Sequence, residues 1–75
     1  MTGGSSGERT SDLGAFETPY GKRVVLQEVA YESGMVLLRV RIQEGSRFTI
    51  LELDPDSAAR WGGALADWAA RQQER

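Results

Sequence analysis

Three segments of the chain alternate or run together aliphatic residues in the manner of strands. They are "KRVVLQEVAY" (Lys22–Tyr31), "MVLLRVRI" (Met35–Ile42) and "SRFTILEL" (Ser46–Leu53). Their β-branched and long aliphatic side chains suit a pleated, half-buried surface. The breaks between them, Glu32–Gly34 and Glu44–Ser46, are short and contain glycine, as β-hairpin loops do. Three antiparallel strands in a meander are therefore predicted. After Leu53 the apolar period lengthens. Ala58, Trp61, Leu65, Trp68 and Ala69 recur three or four positions apart and form one stripe of a helix. Asp54 suits the N-cap, Pro55 the first helical position, and Asp56 the positive end of the helix dipole. Asp56 with Arg60, and Asp67 with Arg71, are acid-first pairs one turn apart.

Upstream of Lys22 the signal is weaker. Thr18-Pro19-Tyr20-Gly21 carries the residues of a type I turn, so Ala15–Thr18 is expected as a short edge strand. Residues 1–12 hold no apolar side chain after Met1, and such a segment does not offset its ordering entropy by burial. They are expected to form a disordered tail before a single small domain spanning 13–75. The predicted fold class is α+β: a three- or four-stranded antiparallel β-meander followed by one C-terminal α-helix packed on one sheet face (β-β-β-α).

Register decides which residues share a face, because side chains alternate across a strand. A first hairpin turning on Ser33-Gly34 sets Glu28 opposite Arg39, Val29 opposite Leu38 and Tyr31 opposite Val36. One face then collects Val25, Val29, Tyr31, Val36, Leu38, Val40 and Ile42. A left-handed Gly45 in the second loop adds Phe48 and Ile50. That face is apolar and suits the Trp61–Leu65–Trp68 stripe. The other carries Val24, Leu26, Glu28, Met35, Leu37, Arg39, Arg41, Thr49, Leu51 and Leu53. A lone helix covers one face only, so Leu26, Leu37 and Leu51 are expected to form an apolar patch, with Arg39 and Arg41 beside them. Contiguous exposed patches of this kind mark interfaces. Leu26, Leu37, Arg39, Arg41 and Leu51 are thus the candidate interface. The competing expectation is that Leu13, Phe16 and Tyr20 fold across and cover the leucines.

Composition narrows the chemistry. The chain has neither cysteine nor histidine, which removes disulfides, thiolate metal sites and the commonest general base and zinc ligand. Glu52, Asp54 and Asp56 could offer oxygen ligands, but they lack a calcium-loop spacing, and helix capping accounts for two of them. No glycine-rich phosphate loop joins strand to helix; "LDPD" at that junction is acidic. Trp61 and Trp68 fall on the apolar stripe and are expected as core. No cofactor, metal or catalytic residue is assigned, and no enzyme is expected.

No apolar run is long enough to span a bilayer, and the N-terminus has no signal-peptide core, so a cytoplasmic protein is expected. Its expected role is a small interaction module of unknown pathway, a homodimer or a subunit of a larger assembly. It would contact itself or another protein through the sheet face. The alternative partner is single-stranded nucleic acid, bound by a strip of Arg39, Arg41 and Arg47 with Lys22 and Arg23 nearby. In its order of elements the chain resembles small dimeric single-strand-binding coactivators. The net charge of −2, from nine basic and eleven acidic residues, weighs against that alternative. Gly62 and Gly63 sit inside the helical pattern, where each costs about 1 kcal/mol against alanine. Close approach of another element, or a kink, would explain them.

Overall fold

The computed structural model describes residues 8–73. Four strands, β1 (Glu8–Thr18), β2 (Lys22–Tyr31), β3 (Val36–Glu44) and β4 (Arg47–Leu53), form one antiparallel sheet in sequence order, and helix α1 (Pro55–Gln73) follows. The fold is the α+β meander with one C-terminal helix against the sheet, in its four-stranded form.

β1 is longer than expected. It begins at Glu8, so Glu8–Asp12 lie in the sheet and the boundary of the expected tail moves; residues 1–7 lie outside the described residues. The segment lacks apolar side chains, yet the open edge of β2 offers it a ladder of backbone hydrogen bonds. Two polar contacts reinforce the pairing. Gln27 Nε2 donates to Asp12 Oδ1 at 2.9 Å, and Glu8 reaches Arg39 at 3.3 Å. A bulge at Leu13 shifts the register between Asp12 and Gly14. It also interrupts an exposed edge, one means by which sheets avoid edge-to-edge aggregation.

Both later hairpins differ from expectation by one residue. The first loop holds three residues, Glu32-Ser33-Gly34. The Gly34 N–H donates to the Tyr31 carbonyl at 2.9 Å, and Gly34 takes φ 100°, the left-handed position of a three-residue hairpin. Glu28 therefore faces Leu38, Gln27 faces Arg39 and Val29 faces Leu37. In the second loop Gly45 is left-handed as expected, at φ 61°, but Glu44 pairs directly with Arg47. That leaves a two-residue turn with positive φ at its first position only, as type II′ requires.

Two single-residue slips reverse the faces of β2 and β4 relative to β3. The helix side carries Phe16, Val24, Leu26, Val36, Leu38, Val40, Ile42, Leu51 and Leu53. The far side carries Val25, Gln27, Val29, Tyr31, Leu37, Arg39, Arg41, Phe48, Ile50 and Glu52. Among the described residues the buried apolar side chains are Val29, at 0% exposure on the far side, and Val40, at 3% under the helix. The molecule is correspondingly open. Its radius of gyration is 15.2 Å, where a compact chain of this length has about 11 Å.

The helix is continuous through Gly62 and Gly63, so neither kinks it. A Cβ built on either glycine would meet nothing within 4 Å, so close approach within the chain does not explain them. Gly63→Ala should therefore raise stability by about 1 kcal/mol, read as a higher unfolding midpoint in denaturant.

Candidate functional site: the open cleft between helix and sheet

Asp54 fixes where the helix starts. Its Oδ1 accepts the Ser57 N–H at 2.8 Å, and Pro55 occupies the first helical position. Ser57 holds the Asp54 carboxyl below its ordinary pKa, through hydrogen bonds from its side chain and backbone. A lowered native pKa means that the cap stabilises the helix above the ordinary carboxylate range and loses that effect as pH falls through the depressed value. Acidification should thus reduce helix content measured by circular dichroism. Asp54→Asn, which still caps, should flatten that pH dependence.

From this start α1 lies over β3 and β4. It turns small side chains to the sheet: Ala58 and Ala69 are half-buried, and Gly62 lines the space between helix and sheet. The tryptophans were expected to pack onto the sheet. They lie instead on the open flank of α1, with Trp61 46%, Leu65 66% and Trp68 60% exposed. Between helix and sheet runs an apolar cleft of about 430 Å³. Phe16, Val24, Leu26, Leu38, Val40 and Leu53 form its floor, and Ala58, Trp61, Gly62 and Leu65 its helical wall. A second hollow of about 310 Å³ lies between Trp61, Ala64, Leu65 and Trp68. Phe16, at the β1 side of the cleft, is 54% exposed.

The energetic imbalance is large. An aromatic side chain has roughly 150–250 Å² to bury, so Phe16, Trp61, Leu65 and Trp68 leave on the order of 500 Å² in water. At about 25 cal/mol per Å² that is on the order of 10 kcal/mol of unrealised burial, as much as the whole stability of an ordinary domain.

The far side is organised by charge. Arg39 donates to Glu52 from Nε at 3.1 Å and from Nη2 at 2.9 Å, and Nη2 also reaches Glu8 at 3.3 Å. The Tyr31 hydroxyl donates to the same Glu52 carboxylate at 3.3 Å. Partial burial first, then the Glu52 charge, hold the Tyr31 phenol above its ordinary pKa; the Glu52 hydrogen bond is the main cause raising that of Arg39. Glu8, Tyr31, Arg39 and Glu52 thus tie β1, β2, β3 and β4 together across one face. Arg41 stacks over the Phe48 ring, 4.4 Å from its centroid.

The expected interface is not brought together. Leu26 and Leu51 are on the helix side, Leu26 in the cleft floor, while Leu37, Arg39 and Arg41 are on the far side. Nor is the expected basic strip assembled. Arg23, Arg39 and Arg41 share the far side, Lys22 and Arg47 the other. Lys22, Arg23 and Arg39 are each engaged by a carboxylate, from Glu44, Glu17 and the Glu8–Glu52 pair. The segment of Leu13, Phe16 and Tyr20 does not fold across the leucines. It pairs alongside β2, and Tyr20 projects from the turn. Of the acidic trio, Glu52 is held by Arg39 and Tyr31, and Asp54 caps the helix. Among the described residues no three possible metal ligands come together, and no helix is long and apolar enough to cross a membrane.

The cleft and the strands that frame it lie within a stretch recognised across a whole group of proteins. The chain belongs to a family of unknown function (DUF6967). The family's sequence pattern matches residues 7–71, from just before β1 almost to the end of α1. No curated protein and no solved structure matches the chain. The DUF6967 match takes in every residue of the cleft and of the Glu8–Tyr31–Arg39–Glu52 network.

Proposed function

We propose that this chain is a small non-enzymatic interaction module, working in the cytoplasm as a homodimer or as a subunit of a larger assembly. The helix–sheet cleft and the tryptophan flank of α1 are its contact surface. One observation carries this: Phe16, Trp61 and Leu65 line an open cleft and Trp68 stands beside it, with 46–66% of each exposed, while Val29 and Val40 are the buried ones among the described residues. Patches of this extent mark interaction sites, and small domains without disulfides or metals gain stability by associating. The far face supports single-stranded nucleic acid less well, since ion pairs occupy Arg23 and Arg39.

The test is the size of the tagged chain in an undiluted native extract of its own cells. It is expected well above the 8.2 kDa of one chain. Elution as a single chain would remove the proposal.

A further inference from the structure

We infer that the occupant of the tryptophan flank is a second copy of this chain, bound through the same flank with the two α1 helices antiparallel. The inference rests on the interaction-module proposal and names its partner. Stable interfaces bury about 800 Å² on each side. Trp61, Leu65 and Trp68 of the flank, with Phe16 across the cleft, supply on the order of 500 Å² of that, since each aromatic offers roughly 150–250 Å².

The flank is also self-complementary when the two helices run antiparallel. Trp61 and Trp68 are symmetric about Ala64–Leu65. Antiparallel packing centred there sets Trp61 against the partner's Trp68, and Ala64 against the partner's Leu65. A charge pair beside the flank agrees. Among the described residues, Arg60 and Asp67 form no ion pair within their own chain. In the antiparallel register Arg60 lies about 3 Å along the axis from the level of the partner's Asp67, given 1.5 Å per residue. Parallel packing would set each charge beside its own like. Antiparallel helices also oppose their dipoles favourably.

The absence of cysteine allows a direct test. Ala64 lies beside the proposed two-fold axis, whereas the two copies of Ser57 would lie roughly 22 Å apart. The purified full chain should have the mass of two copies by light scattering. Ala64→Cys should cross-link to a covalent dimer on mild oxidation. Ser57→Cys should not cross-link alone, but should do so when mixed with a Gln72→Cys chain. Arg60→Glu should raise the dissociation constant about fivefold, as a rim ion pair allows, and adding Asp67→Arg should restore it. Circular dichroism of each variant establishes that it is folded.

A purified chain that stays monomeric at all concentrations overturns the inference. If the extract nevertheless shows a larger assembly, the interaction-module proposal stands and the partner is a different protein. A dimer in which Ser57→Cys cross-links to itself as readily as Ala64→Cys is parallel, and a dimer that links at neither position uses another surface. Both outcomes overturn the inference.

Discussion

Leu65→Asp should turn the proposed dimer into a folded monomer. Leu65 stands at the centre of the tryptophan flank and is 66% exposed in the single chain. Its own fold therefore loses little when it is replaced. In the proposed dimer the same position is enclosed. The substitution removes an aliphatic contact worth roughly 1.5–3 kcal/mol and places a carboxylate where water is excluded, which costs more. A two-fold interface suffers this twice. The dissociation constant should rise by about a thousandfold, equivalent to roughly 4 kcal/mol. Sedimentation or light scattering reads the loss of mass, and circular dichroism reads the retained fold. Ile50→Asp is the control. Ile50 is 55% exposed on the opposite sheet face and should leave the mass unchanged. Loss of association from Ile50→Asp but not from Leu65→Asp would move the contact surface to the far side.

Val29→Ala should weaken the fold itself and leave the contact surface intact. Val29 has no exposure, and it sits on the far side of the sheet between Thr10 of β1 and Leu37 of β3. Truncation removes two methyl groups and leaves a void among close-packed neighbours, for about 2 kcal/mol. In a domain of this size that lowers the melting temperature by about 10 °C. Because association raises apparent stability by mass action, wild type and variant must be melted at equal chain concentration. The two substitutions should separate cleanly. Val29→Ala shifts the melt with the dimer mass retained at low temperature, whereas Leu65→Asp shifts the mass. An unchanged melting temperature for Val29→Ala would mean that the far side contributes no core.

Much of the fold was legible in the residues. The three later strands, the helix with its Asp54–Pro55 start, and the left-handed Gly45 all follow from side-chain type and spacing. The sheet faces were not legible, for a specific reason. "ESG" and "EGS" are each compatible with a loop of two or three residues, and one residue either way turns a whole strand over. Leu26 and Leu51 thus joined the helix side while Leu37 did not. The N-terminal half of β1 was hidden because Glu8–Asp12 are held by backbone pairing and by contacts to Gln27 and Arg39, partners 15 and 31 positions away. Polar composition reports burial, and these residues are not buried.

The sequence by itself determined that strands and helix form, that the helix begins at Asp54, and that there is more apolar surface than one helix shelters. These are properties of neighbouring residues and of composition. Only the tertiary structure decided where the surplus lies. It placed Phe16, Trp61, Leu65 and Trp68 in the cleft and along the tryptophan flank, and Phe48 and Ile50 on the far side, because hairpin register and the angle of α1 on the sheet depend on loop closure and distant packing. Small residues face the sheet, so Trp61 and Trp68 are left at the open side of the cleft.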